Sequence, residues 1–148
     1  LRYAGSGPRE MNERIFPLLG GAALLPDWPG PAAGERPAAY IRIGGERKNA
    51  HLRVDMGIAC QTVFLLLAEA GLAACMIGNM KAAAVHALAG FSDDVYPLLV
   101  MAVGRAAERV VVDDMPPGGR TAYYRDAGGT HHVPKRPLAE VLVRVFGE

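Results

Sequence analysis

The chain has 148 residues, of which 51% are hydrophobic and 21% charged, and its formal net charge at pH 7 is +1. This length is enough to bury one core, so we expect a single domain spanning residues 1–148. The near-zero charge gives no reason to expect nucleic acid or a membrane surface as a partner, and the balanced composition argues against disorder.

The apolar runs and the cysteines indicate in which compartment the protein lies and whether it binds a metal. The longest uncharged run, residues 56–68, is shorter than the roughly 20 residues that a membrane-spanning helix needs, and no secretory signal is visible. Cys60 and Cys75 lie in apolar surroundings and are interpreted as reduced core thiols. No Cys and His set has the spacing of metal ligands, so no metal is expected. We therefore predict a cytoplasmic protein.

The first predicted helix begins after a glycine-serine turn. Pro8 is typical of the first turn of a helix, which we expect to run through Phe16. Pro17 would kink or restart this helix, and apolar residues continue as far as Leu25. The four prolines and two glycines of residues 26–37 predict a loop.

A strand is predicted over residues 38–43, ending at Gly44 and Gly45. Arg42 lies between two isoleucines of this strand. We therefore expect one face of the strand to reach solvent at Arg42.

The strongest helix prediction covers residues 52–70, where apolar side chains occur on nearly every side. A helix that is apolar all round is covered all round, and in a chain of this size the natural cover is a second copy of the protein. The sequence thus favours a homodimer. Gly71 is predicted to end the helix.

Three further elements are predicted before residue 105. They are a short buried strand over residues 73–77, a helix over residues 81–89 stopped by Gly90, and a strand over residues 96–103. The last strand is an unbroken apolar run, which is typical of a central strand covered on both faces. Helices and strands in this order indicate a mixed sheet flanked by helices.

The C-terminal part shows little periodicity. Residues 105–135 contain many Gly, Pro and charged residues, and no element is predicted there, whereas residues 137–146 fit either a helix or an edge strand. The His131–His132 pair is interpreted as a solvated loop pair, or alternatively as part of the mouth of a site. The adjacent aspartates at residues 93–94 and 113–114 are interpreted as turn or cap residues.

The sequence contains no motif of a nucleophilic, phosphate-cradling or metal-dependent enzyme: there is no GxGxxG after a strand, no Walker loop, no HExxH and no GxSxG. We therefore predict no catalytic side chain. An enzyme whose cofactor supplies the difficult chemistry needs few reactive side chains. Cofactor-dependent chemistry is the class left open.

Several blocks of sequence resemble the nitroreductase superfamily. The match lies in VDMGIACQ at residues 54–61, LLLAEAGL at 65–72, CMIG at 75–78, LVMAVGRAAE at 99–108, YYRD at 123–126 and HVPKRPL at 132–138. Each block alone is loose, but their order makes the match specific. The resemblance covers residues from about Ala38 onward. The family's N-terminal phosphate-binding segment and the loop under its flavin have no counterpart, so we expect an N-terminal segment to be missing from this sequence.

The resemblance implies an α+β fold: a three-layer α/β/α sandwich with a mixed, mainly antiparallel sheet. It implies an intertwined homodimer with FMN at the interface, and an oxidoreductase in which NAD(P)H reduces FMN. Reduced FMN would then pass electrons to a small-molecule acceptor, a nitroaromatic, quinone or related compound, in ping-pong fashion. Two alternatives remain, a non-catalytic flavin-binding or flavin-storage dimer and a folded dimer without flavin.

The resemblance also implies candidate cofactor-binding residues. Ile77, Gly78 and Asn79 match the strand end whose backbone approaches the flavin N5 in the family, where glycine permits close approach. The alternative for Gly78 is an ordinary strand-end turn.

Three basic residues are further candidates under the same resemblance. Lys135 and Arg136 match the basic pair near the ribityl phosphate, for which two adjacent cations are suited, or are a solvated pair. Arg36 is a weaker candidate for positive charge near the flavin N1.

Overall fold

A computed structural model describes residues 1–146, and the chain divides into two compact units. Unit 1 comprises Leu1–Gly21 and Gly30–Ala106, and unit 2 comprises Ala22–Pro29 with the residues from Ala107 onward. This division does not test the expectation of one domain over residues 1–148, which stays a prediction.

Unit 1 is built on an antiparallel sheet with strand order β1-β2-β4-β3. Its strands are β1 (Arg2–Ser6), β2 (Ala39–Glu46), β3 (Ala73–Ile77) and β4 (Val95–Gly104). Its helices are α1 (Arg9–Ile15), α2 (Leu52–Glu69) and α3 (Ala82–Ala89), with 3-10 turns at Phe16–Leu18 and Ala33–Glu35. The helix and strand predictions for this part of the chain are confirmed to within a few residues, except that β1 was not predicted. Strand β3 was predicted to be buried, which is wrong: it is an edge strand, and Met76 is 51% exposed.

The sheet of unit 1 lies between two layers of helix. Alternate side chains of a strand point to opposite faces. Val100 of β4 belongs to a buried cluster with Ile15 of α1 and Val85 of α3. The next residue, Met101, belongs to a second cluster with Cys60 of α2. The α+β class and its three-layer arrangement are therefore confirmed, as is the prediction that β4 is covered on both faces.

Strand β2 continues through two glycines that were predicted to end it. A Cβ added at Gly44 would come within 2.7 Å of Val95 and 2.8 Å of Phe91, and one at Gly45 would collide with Leu52. The glycines make room for these side chains, and β2 therefore reaches Glu46.

Arg42 is buried, contrary to the prediction that its face reaches solvent. The residue is 4% exposed. The guanidinium donates hydrogen bonds to the carbonyl oxygens of Ala4 (3.0 Å), Gly5 (3.0 Å) and Leu88 (2.8 Å). Three acceptors compensate for the burial of one charge. Arg42 therefore fastens β1 and the end of α3 to β2.

Unit 2 contains a small mixed sheet. Its elements are β5 (Val110–Asp114), β6 (Tyr124–Arg125), β7 (His131–Lys135) and the short helix α4 (Leu138–Val141). Strand β7 is central, parallel to β5 and antiparallel to β6. These strands lie in residues 105–135, where the sequence predicted no element. Helix is the correct alternative for residues 138–141.

Two expectations about apolar segments have different outcomes. Cys60 is buried, but Cys75 is exposed, so the expectation of two core thiols is right for Cys60 only. Burial raises the pKa of the Cys60 thiol. Among the described residues, no helix has both the length and the apolar character needed to cross a membrane.

Candidate functional site

The predicted flavin-approaching residues lie at the end of the edge strand β3. Ile77 is half-buried and pairs with Val100 of β4, whereas Gly78 and Asn79 are exposed. A Cβ added at Gly78 would meet no atom within 4 Å, and Gly78 is not among the glycines with positive φ. Neither internal packing nor backbone conformation therefore requires glycine at this position. The glycine leaves the backbone open to approach from outside the chain.

The chain beyond Gly78 is held in place by the segment that follows α1. The N–H of Gly20 donates to the carbonyl oxygen of Asn79 at 2.8 Å, and the N–H of Lys81 donates to the carbonyl oxygen of Leu18 at 2.8 Å. These two backbone bonds bracket the exposed turn. The end of β3 therefore has a fixed position although it lies at the surface.

The predicted phosphate-binding pair lies in unit 2. Lys135 is the last residue of β7, Arg136 follows it, and both are exposed. The Lys135 carbonyl oxygen accepts a hydrogen bond from the N–H of Met115 at 2.8 Å. Within residues 1–146 neither basic side chain forms a hydrogen bond or ion pair. Both cations are thus available to an anion.

Arg36 lies in the loop before β2 and packs on the segment that follows α1. Its guanidinium lies 4.3 Å from the centre of the Phe16 ring, beside a cavity of about 440 Å³ between α1 and the loop before β2. Tyr40 also lines this cavity and belongs to the buried cluster that Ile77 packs against. Arg36 therefore lies beside the same face of the sheet as that cluster.

His132 is part of a polar cluster rather than of a solvated loop. Its Nδ1 lies 2.8 Å from Asp113 Oδ2 and its Nε2 lies 3.3 Å from Asp126 Oδ2. The ring stacks on Tyr124 with 4.7 Å between centroids and 5° between planes. Hydrogen bonds to Asp113, and next to Asp126, raise the pKa of His132. The interpretation of Asp113 as a turn or cap residue is therefore also wrong.

A parallel set of contacts surrounds His131. Its ring stacks on Tyr123 with 5.3 Å between centroids, and its Nδ1 lies 3.5 Å from Glu108. The same carboxylate accepts a hydrogen bond from Arg125 at 2.7 Å. Two adjacent aromatic residues and two adjacent histidines are separated by Arg125 and an Asp-Ala-Gly-Gly-Thr turn, a cross-strand pairing pattern that could have revealed this hairpin.

Comparison with known families identifies the fold. The model of the nitroreductase family matches residues 6–105. The chain belongs to the nitroreductase family. The matched range takes in nearly all of unit 1, including the end of β3, and it confirms the resemblance seen in the sequence.

Solved nitroreductases share this fold over most of the chain. The FMN and NADPH-dependent nitroreductase NfnB from Sphigopyxis sp. strain HMH is 25% identical with a TM-score of 0.53, over 75% of this chain and 44% of that one. NfrA1 nitroreductase from B. subtilis is 18% identical with a TM-score of 0.56, over 72% and 49%. The NADPH:FMN oxidoreductase from Vibrio harveyi, solved with NAD+, is 18% identical with a TM-score of 0.51, over 72% and 50%. The chain therefore spans half or less of these proteins. No curated protein matches it.

Proposed function

We propose that this protein is an FMN-dependent oxidoreductase that uses NAD(P)H to reduce nitroaromatic, quinone or related acceptors. Membership in the nitroreductase family supports FMN as the proposed cofactor. The similarity to NfnB, an FMN and NADPH-dependent nitroreductase, supports NAD(P)H as the proposed electron donor. The observation on this chain that carries the proposal is the open backbone at Gly78, at the strand end that the family resemblance assigns to the flavin.

The end of β3 fits the edge of a flavin ring. Gly78 is exposed and would have room for a Cβ, so the space beside its backbone is open to a planar group. Ile77 offers a half-buried apolar side chain next to it. Bound FMN would supply the two-electron exchange between NAD(P)H and the acceptor. The role of Ile77, Gly78 and Asn79 is to bring backbone close to the ring and to fix its orientation.

Lys135 and Arg136 are proposed to hold the ribityl phosphate. Both are exposed cations without an internal partner among the described residues, and a doubly charged phosphate matches two adjacent cations. In this scheme the side chains bind and orient, and none acts as a nucleophile. A cytoplasmic location, where NAD(P)H is supplied, is part of the same proposal.

A homodimer is proposed on the exposed apolar face of α2. Cys60 is the only buried residue of this 18-residue helix. Val54, Ile58, Leu65 and Leu66 are 60–64% exposed. Large apolar side chains exposed together on one helix are typical of an interaction surface, and a second copy of the same helix is a self-complementary cover. The proposed occupant is therefore the partner's α2.

The spectrum of the whole protein tests the proposed function. The protein should be purified yellow, lose its flavin absorbance with NADPH or NADH under anaerobic conditions, and recover it when a nitroaromatic or quinone is added. A yellow protein that neither nucleotide bleaches would contradict the enzyme and point to flavin storage. A protein that stays colourless even after incubation with FMN would contradict the flavin itself.

A further inference from the structure

The sheet of unit 2 has little buried apolar surface, and its β6 edge has little backbone pairing. Met115 is the single buried residue in the described part of this unit. Strand β6 has two residues, and its pairing with β7 is limited to two positions. Pro134 of β7 has no N–H to donate to a neighbouring strand. Strand β5 pairs with β7 over five positions, so side-chain bridges matter most at β6 and the turn after it.

The contacts of His132 require a particular protonation state. A neutral imidazole has one N–H donor and one lone pair, and a carboxylate only accepts. His132 has a carboxylate at each ring nitrogen, so both contacts are hydrogen bonds only when the ring is protonated. The titratable groups that face the ring are Asp113 from β5, Asp126 from the turn after β6 and Tyr124 from β6. Tyr124 also donates its hydroxyl to Asp113 at 3.4 Å.

We propose that protonated His132 is a positioning residue for Lys135 and Arg136. It joins β7 to β5 and to the turn after β6, and so fixes the strand end from which the two cations project. His132 precedes Lys135 by three residues, roughly 10 Å along an extended strand. The inference rests on the proposed function, in which Lys135 and Arg136 bind the FMN phosphate.

The contact has a defined pH dependence. The pKa of His132 is higher in the folded chain than in the unfolded one, because both carboxylates favour the charged ring. The stabilisation is therefore complete below the unfolded pKa of about 6.5 and is lost as pH rises through the folded pKa. A phosphate monoester has its second pKa near about 6, so the FMN phosphate also gains negative charge between pH 6 and pH 8.5. A change of wild-type FMN affinity relative to His132→Gln, in which the phosphate titrates alike, reports on the protein.

Amide hydrogen exchange tests the contact without any flavin. Exchange of Val133 and Lys135 in the whole protein is compared at pH 6 and pH 8.5, after correction for intrinsic rates. The wild type should lose protection about twofold to fivefold at the higher pH, the range for a partly exposed charged pair. His132→Gln should show, at both pH values, the protection that the wild type has at pH 8.5. Asp126→Asn removes one of the two carboxylates and should reduce the change of protection with pH.

His86→Gln is the matched control. His86 lies in unit 1, where its Nε2 is 3.1 Å from the Ser92 carbonyl oxygen. This variant should keep the wild-type exchange pattern in β7. Wild-type protection that does not change with pH, or equal protection in His132→Gln, would overturn the proposal.

FMN titrations at the same pH values test the positioning role. The ratio of the wild-type dissociation constant to that of His132→Gln should rise by the same twofold to fivefold between pH 6 and pH 8.5, because the phosphate titrates alike in both proteins. If protection falls but FMN affinity does not follow, positioning is overturned. If the Lys135→Ala/Arg136→Ala variant binds FMN as the wild type does, the phosphate role itself fails. The hydrogen-exchange result then shows whether the His132 contact exists even though Lys135 and Arg136 do not bind the phosphate.

Discussion

The α-carbon of Gly20 faces the side-chain amide of Asn79 so closely that a Cβ on Gly20 would overlap the amide. The same two residues are joined by the backbone bond from Gly20 N–H to the Asn79 carbonyl oxygen. Gly20→Ala should therefore displace Asn79, and with it the end of β3. We expect a loss of roughly 1 kcal/mol in the free energy of unfolding, the low end for overpacking because an amide can rotate.

A double-mutant cycle isolates this contact. Asn79→Ala removes most of the atoms that a Cβ on Gly20 would overlap. In this background Gly20→Ala should lower the free energy of unfolding, measured by urea denaturation, clearly less than it does in the wild type. An equal cost in both backgrounds would show that Gly20 is needed for another reason.

The burial of Arg42 gives a larger effect on stability. Arg42→Met removes three hydrogen bonds to carbonyl oxygens, and we expect it to lower the free energy of unfolding by about 3 kcal/mol. Arg42→Lys keeps the charge but not the planar guanidinium with its several N–H donors, and it should lower the free energy of unfolding by roughly 2 kcal/mol. Arg14→Met, at an exposed position of α1, is the control and should change stability by less than about 0.5 kcal/mol. A cost for Arg42→Met no larger than for Arg14→Met would contradict the structure.

The fold of unit 1 could be predicted because its elements have clear apolar patterns. Strand β4 is an unbroken apolar run, and α2 is followed by Gly71, which has a φ of 69°. The burial of Arg42 could not be predicted, because its three acceptors are backbone carbonyls from residues 4, 5 and 88, which no local pattern marks.

The sheet of unit 2 could not be predicted from apolar periodicity. Its contacts join polar and aromatic side chains, such as His132 with Asp113 and Tyr124. For the candidate site, the resemblance to the family supplied Gly78 and the Lys135–Arg136 pair. What the structure adds is physical: Gly78 has open space beside its backbone, and the two cations have no internal partner within residues 1–146.

The oligomeric state tests the proposed role of α2. Light scattering should give twice the chain mass at micromolar concentration. Ile58→Glu with Leu65→Glu places charges on the exposed apolar face and should yield a folded monomer. Val112→Glu, at a 67% exposed position of β5, is the control and should remain dimeric. A wild-type monomer would contradict the proposal.

The phosphate role of the basic pair has a matched control in the same chain. Lys135→Ala with Arg136→Ala should weaken FMN binding at least about tenfold, since one charge-assisted hydrogen bond contributes about 1.5–3 kcal/mol and each ~1.4 kcal/mol is a factor of ten. Arg47→Ala with Lys48→Ala removes another exposed adjacent pair, in unit 1, and should leave the affinity unchanged. Equal losses in both variants would indicate a general charge effect.

FMN affinity of Gly78→Ala, measured beside Gly21→Ala, tests the central claim most directly. A Cβ at either glycine meets no atom within 4 Å, and neither glycine has a positive φ. The free energy of unfolding of both variants should therefore lie within about 1 kcal/mol of the wild-type value. If the flavin approaches the backbone at Gly78, the added methyl group should lower FMN affinity at least about tenfold, a cost of ~1.4 kcal/mol, while Gly21→Ala binds as the wild type does. Equal FMN affinity in Gly78→Ala, Gly21→Ala and the wild type would contradict the account.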